Sequence, residues 1–199
     1  MSKDFYAAIK DRRSYYAIGK TSPVSDARIR EVVEYAFTHA PAAFNAQSAR
    51  ALVLFGKHHD RLWQIALEAL RKVVPADKFA PTEQKIASFA AGHGTILYFE
   101  EQTEVKALQD KFPAYAENFP KWSQQAAGSS QYLVWTALEV EGLGATLQHY
   151  NPLIDEAVAK EWNVPATWKL VAQMPFGAPV APPGEKTFRP IGELVWVAE

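Results

Sequence analysis

Two basic clusters lie near opposite ends of the 199-residue chain: Arg12 and Arg13, followed by Ser14, in DRRS, and Lys186 with Arg189 in GEKTFRP. Arginine offers a phosphate a planar fork and lysine a point charge. The two clusters together are therefore a candidate phosphate site, if the fold makes them converge. Taken singly, each reads as solvated charge, and arginine at a helix end complements the helix dipole. A different kind of polar group lies between them. PAAFNAQSA (41–49) has no charge and mostly small side chains, with two amides, Asn45 and Gln47. Their donors and acceptors suit the edge of a planar heterocycle. Asn45 also reads as an Asx turn that closes the loop on its own backbone. The small neighbours Ala42, Ala43, Ala46 and Ser48 favour close approach of a ligand.

Gln148, His149 and Tyr150 follow GLGATL (142–147), at the expected end of a strand. His149 has the right chemistry for a general acid or base, and equally for a hydrogen-bonded structural role. GLGATL is not a dinucleotide motif, because it follows a helix rather than a strand and lacks the third glycine. Gly142 reads instead as a helix C-cap. The chain has no cysteine. That excludes disulfides, thiolate metal sites, iron–sulfur clusters and cysteine nucleophiles. It contains no H-E-x-x-H, no G-x-S-x-G and no P-loop. With no nucleophile or metal site of its own, an enzyme of this sequence would depend on a cofactor for its chemistry. No residue is assigned as catalytic or as a metal ligand.

The elements that must position these groups follow from periodicity. Asp4 to Asp11 reads as a short helix, and Ile29, Val32, Val33, Ala36, Phe37 and Ala40 mark an amphipathic helix capped by Ser25. Ala51–Gly56 is a continuous apolar run that suits a strand buried on both faces. Helices are expected at about 62–73, 83–91, 103–111 and 153–161, with His58 and His59 as capping or surface residues. TILYF (95–99) reads as a second central strand. KFPAYAENFPKW (111–122) reads as an aromatic loop, either a packing element or a lid, and Ser123 to Glu141 as the longest helix. Trp168–Met174 and Glu193–Val197 read as closing strands. Without repeat or linker, residues 1–199 read as one α+β domain, a central sheet with helices on both faces. With 21 basic and 22 acidic residues, no global field attracts nucleic acid or an anionic membrane. No secretory signal or membrane span is evident, and a cytoplasmic location is expected.

In order and spacing, RRS, PAAFNAQSAR, GLGATLQHYNP and GEKTFRP resemble the FMN-dependent nitroreductase family, most closely its Frm2-like subgroup. The resemblance implies the nitroreductase fold, with a mostly antiparallel sheet flanked by helices, in an intertwined homodimer. It implies FMN as cofactor, NADH or NADPH as reductant, and a small-molecule oxidant, nitroaromatic or quinone-like, reduced by a ping-pong mechanism. By position, Arg12, Arg13 and Ser14 would hold the phosphate and the ribityl or pyrimidine side of FMN. Lys186 and Arg189 would complete the phosphate site. Asn45 and Gln47 would reach the flavin from the partner subunit, and Gln148, His149 and Tyr150 would lie near flavin N5 through their backbone amides. Phe119 and Trp122 would line the substrate side. The chain departs from the family pattern at Tyr16, at Ala42 and Ala43, and in the spacing of Lys186 and Arg189. Two other classes fit the same residues: a flavin-binding stress or regulatory protein with little turnover, and a cofactor-free interaction protein.

Overall fold

A computed structural model describes residues 3–199. The elements in chain order are α1 (Phe5–Asp11), β1 (Ile18–Gly19), α2 (Asp26–His39), β2 (Ala49–Phe55), α3 (Lys57–Leu70), α4 (Ala80–Ala90), β3 (Gly94–Glu101), α5 (Gln102–Lys111), α6 (Phe119–Val140), β4 (Gly144–Ala145), α7 (Asp155–Trp162) and β5 (Trp168–Pro179). Local chemistry sets several boundaries. Asp4 accepts from the Ala7 amide at 3.0 Å and Ser25 from the Arg28 amide at 3.2 Å, so each supplies an acceptor to an orphan N–H of its helix. Gly142, at φ +82°, ends α6 in a conformation that costs a side-chain-bearing residue energy.

The strands run β1-β5-β3-β2, with β4 on β5, and every ladder is antiparallel. β3 is central and buried throughout. Its alternating side chains feed two cores. Ile96 and Tyr98 join Ile29, Val33, Val134 and Leu138 of α2 and α6 on one face. Leu97 and Phe99 join Leu62, Trp63, Phe89 and Val158 of α3, α4 and α7 on the other. The α+β class with helices on both faces is what the sequence suggests.

Four local expectations are corrected. β2 is an edge strand, and of its residues only Leu54 is fully buried; Ala51 and Val53 face a cleft of 410 Å³ beside α2. An apolar run is the mark of a central strand only when a neighbour covers each side. Residues 193–197 form no strand among the described residues: a 3-10 turn at Ile191–Glu193 leads into an exposed tail with no β partner. α6 starts at Phe119 rather than Ser123, because Pro120 fits a first helical turn, where no amide partner is needed. His59 is not a surface residue but 1% exposed. Its Nε2 donates to the Ala90 carbonyl at 3.2 Å, which leaves Nδ1 to accept from the Thr95 hydroxyl at 2.8 Å. The same hydroxyl oxygen accepts from Trp63 Nε1 at 3.0 Å.

Burial holds the His59 imidazole below its ordinary pKa of 6.5. The folded state keeps it neutral while the unfolded chain takes up a proton. Its contribution is therefore complete above about pH 6.5 and declines as the pH falls towards the lower folded value. Stability should fall between pH 7 and pH 5 more steeply in the native protein than in His59→Gln, by at most about 1.4 kcal/mol per pH unit. Urea midpoints at both pH values measure this; equal slopes would count against it.

Candidate functional site

The antiparallel return of β5 carries the C-terminal segment back to the start of the chain. Val180 N donates to Ala17 O at 3.0 Å, and Arg13 Nη2 donates to Gly184 O at 2.6 Å. The two basic clusters thereby converge. Arg12, Arg13, Ser14, Tyr16, Glu185 and Lys186 line one cleft of 370 Å³. β4 supports the floor. Tyr15 N donates to Ala145 O at 3.0 Å, and Ser14 bridges Ala145 in parallel. A Cβ at Gly144 would lie 2.9 Å from Tyr15 Cβ, so the second glycine of GLGATL lets the DRRS segment settle on β4.

Although Glu185 shares the cleft, the basic residues of the cleft form no ion pair among the described residues. Of the eight arginines, six contact a carboxylate. Arg12 and Arg13 do not. The Arg12 guanidinium lies over the Trp135 ring at 4.5 Å and near Tyr132 at 5.9 Å, both on α6. Its Nε is buried without a hydrogen-bond partner. A buried, charged donor left unpaired is costly, and this one borders a cleft shaped by further donors. Arg189 is elsewhere: it faces Glu193 at 3.5 Å and does not line the cleft.

A second part of the site is the segment 148–150. Gln173 in β5 is fully buried and holds it through main chain and side chain. Gln148 N donates to Gln173 O at 2.7 Å, and Tyr150 N donates to Gln173 Oε1 at 2.8 Å. The Gln148 side chain turns inward to donate to Thr146 Oγ1 at 3.0 Å. Of the three amides, only that of His149 has no partner among the described residues, and His149 is exposed. Burial pushes the Tyr150 phenol up to about 12, and the charge of nearby Tyr16 adds to the shift. Tyr150 is therefore neutral across ordinary pH. Ring contacts from Tyr16 to Phe89 at 6.2 Å, Phe89 to Trp63 at 4.9 Å and Trp63 to Tyr150 at 6.0 Å link the 148–150 segment to the Tyr16 side of the cleft.

The loop before β2 forms a third, separate part. Asn45 and Gln47 are exposed, and Phe44, Asn45 and Gln47 have φ of 56°, 51° and 45°. Positive φ costs Phe44 more than it costs asparagine. Phe44 is repaid by aromatic contacts, stacking on Trp122 with centroids 5.8 Å apart and meeting Phe112 at 5.0 Å and Phe119 edge-on at 5.3 Å. Phe119 is only 3% exposed and packs beneath, whereas Phe44 is half exposed. Ser48 and Ser123 tie the loop to α6 by a buried hydrogen bond of 2.8 Å.

Within one chain, then, Arg12, Arg13, Ser14 and Lys186 come together, with 148–150 alongside. Asn45, Gln47, Phe119 and Trp122 lie apart, and Arg189 joins neither group. Sequence reasoning missed Phe44, Trp135 and Gln173. Phe44 is the one large aromatic in a run of small residues, which is a readable signal. Trp135 and Gln173 sit in ordinary apolar elements, and only the tertiary contact reveals them. Among the described residues there is no group of three or more His, Cys, Asp or Glu arranged for a metal, and no helix is long and apolar enough to cross a membrane.

The model of the nitroreductase family matches residues 9–178, and the chain belongs to that family. It is 36% identical over 179 residues to the Saccharomyces cerevisiae protein HBN1, covering 89% of each chain. It is 33% identical over 187 residues to the nitroreductase FRM2 of the same yeast, covering 93% of each, which supports the Frm2-like subgroup. Among solved structures it is similar to the nitroreductase CinD of Lactococcus lactis in complex with chloramphenicol, at 45% identity and a TM-score of 0.91, covering 98% of this chain and 100% of that one. CinD has also been solved with 4-nitrophenol. The nitroreductase fold and an oxidoreductase of nitroreductase type follow.

Because Ser48 and Ser123 satisfy each other in the interior, Ser48→Ala should cost about 1–3 kcal/mol by stranding its partner. The double replacement with Ser123→Ala should cost less than the sum of the single changes. Denaturant unfolding of the four proteins in the cycle measures this, and simple additivity would argue against a shared bond.

Proposed function

We propose that the protein is an FMN-dependent NAD(P)H oxidoreductase that reduces nitroaromatic or quinone-like compounds. The observation that carries this reading is the convergence of Arg12, Arg13 and Lys186, none paired with a carboxylate, in one cleft of a nitroreductase-family chain. The donor set fits a phosphate monoester: two guanidinium groups, that of Arg12 with its Nε still unpartnered, an ammonium, and the Ser14 hydroxyl. FMN, which the family generally uses in some flavin form, supplies reversible two-electron transfer when bound.

The chain's own residues then bind, orient and select. Arg12, Arg13 and Lys186 hold the phosphate, and Ser14 and Tyr16 bound the cleft towards the 148–150 segment. The uncommitted His149 amide would be the donor available to the flavin, while Gln173 keeps the neighbouring amides occupied. His149 therefore acts through its backbone, and no side chain is required to move a proton. NADH or NADPH and then the oxidant occupy one site in turn, a ping-pong order. Phe44 and Trp122 present stacked aromatic surface for a flat oxidant.

The working form is a homodimer. Asn45 and Gln47 lie apart from the cleft within one chain and reach the flavin of the partner. The apolar tail supports this: Phe188 is 79% exposed, Ile191 71% and Trp196 86%, far more than an isolated chain should show to water. The cleft beside edge strand β2 leaves further surface open.

Arg12→Ala or Lys186→Ala should weaken FMN binding by about 10- to 100-fold with the fold unchanged by circular dichroism. Arg189→Ala should change it little. Unaltered FMN titrations for both cleft variants would remove the assignment. Trp122→Ala or Phe44→Ala should change the ranking of oxidants by kcat/KM more than FMN affinity; identical rankings across several nitroaromatics and quinones would speak against an aromatic substrate wall.

A further inference from the structure

The loop that presents Phe44 depends on one residue outside it. Phe44, Asn45 and Gln47 all hold positive φ, which L side chains adopt only where the surroundings enforce it. The loop's own main-chain bonds are those of a tight turn, Asn45 N to Ala42 O at 3.0 Å and Ala46 N to Ala43 O at 3.1 Å. They end before Gln47. Arg50, on β2, closes the remainder. Its Nη1 donates to Gln47 O at 2.6 Å and to Ala49 O at 3.0 Å. Ser48 O, between these two carbonyls, accepts from Glu101 N at 2.8 Å. The three successive carbonyls are thus occupied, and among the described residues no other group donates to Gln47 O. The Arg50 guanidinium also lies 3.7 Å from Glu104 and 5.9 Å from the centre of the Trp168 ring. An exposed ion pair of that length contributes little, whereas a charged donor on a carbonyl makes one of the stronger hydrogen bonds. The two carbonyl bonds are therefore the contacts that matter, and Arg50 takes no part in the phosphate cleft.

We infer that Arg50 is a positioning residue for the substrate side of the site. It acts through the main chain. With Gln47 O and Ala49 O held, the 44–47 backbone keeps its positive φ values, and Phe44 stays stacked on Trp122 with centroids 5.8 Å apart. Without those two bonds the stem of the loop relaxes towards ordinary negative φ. The half-exposed Phe44 ring then leaves the surface on which a flat oxidant would lie. The Ser48–Ser123 bond anchors the neighbouring residue from beneath but does not engage the Gln47 carbonyl. This role of Arg50 rests on the reading of Phe44 and Trp122 as the substrate surface of an FMN-loaded enzyme.

The test is a double-mutant cycle in the steady-state reduction of nitrobenzene by the full-length protein, saturated with FMN, with NADH or NADPH in excess. Arg50→Met keeps the aliphatic stem and removes the donors. It should raise KM for nitrobenzene about tenfold and leave kcat within about twofold, the pattern of lost uniform binding. In a Phe44→Ala background the same change should matter by less than about twofold, because the ring it positions is gone. Arg50→Lys, which keeps a charged donor, should recover part of the loss, and it replaces Arg50→Met in the cycle if that variant does not fold. Glu104→Gln leaves both carbonyl bonds in place and should stay within about twofold of the native protein. The positioning role is overturned, with the FMN reading intact, by an unchanged KM in the Arg50 variants, by equal effects with and without Phe44, by a change in kcat alone, or by a Glu104→Gln loss as large as that of Arg50→Met. If Phe44→Ala itself leaves oxidant kinetics unchanged, or if the folded native protein binds no FMN, the underlying reading falls and takes this inference with it.

Discussion

Placing Arg12, Arg13 and Lys186 around one cleft sets like charges against each other, and among the described residues none of the three forms an ion pair, although Glu185 shares the cleft. Two unit charges 4 Å apart repel by about 4 kcal/mol at an effective dielectric of 20. Elsewhere the protein avoids this: the other arginines each contact an acidic group. The Trp135 face beneath Arg12 offsets part of the cost, a contribution of about 0.5–2 kcal/mol for a cation over an aromatic ring. The remainder is a standing preference for an anion, held in place by the pairing of β5 with β1 and β4.

That pairing depends on β3. Because β3 is buried on both faces, the sheet has a fixed centre, and β5 lies along its whole length from Gly94–Phe176 to Glu101–Trp168. The same strand carries Gln173, which fixes the 148–150 segment, and continues through Pro179 to the tail that brings Lys186 to Arg13. Two parts of the proposed site therefore hang on one strand. The Phe44 loop belongs to the opposite edge, before β2, apart from the cleft within one chain.

Much of this was legible in the sequence because it was written in local chemistry. The Ser25 cap, the 3.6-residue period of α2 and α3 and the apolar run of β3 all specify their elements without help from the rest of the chain. Two of the errors, at β2 and at 193–197, have one physical origin, the dependence of apolar residues on neighbours that the sequence does not name. β2 and the tail 193–197 are as apolar as a core strand, yet among the described residues β2 pairs with a strand on one edge only and the tail with none. His59 looked like a capping residue because its partners, Thr95 and Ala90, lie 36 and 31 positions away. The basic clusters could be listed from sequence but their meeting could not, since Arg13 and Gly184 are 171 residues apart. Trp135 and Gln173 carried no sequence signal at all, because a tryptophan in a helix and a glutamine in a strand acquire their roles only from what packs against them.

The most direct measurement compares the affinity of the flavin-stripped protein for FMN with that for riboflavin, which differs only by the phosphate. If the basic cleft is the phosphate site, FMN should bind at least about 100-fold more tightly, since charge-assisted hydrogen bonds contribute about 1.5–3 kcal/mol each. That advantage should shrink as salt is raised. Equal affinity for the two flavins, at low salt and with the fold intact, would contradict the assignment of Arg12, Arg13 and Lys186 and the function built on it.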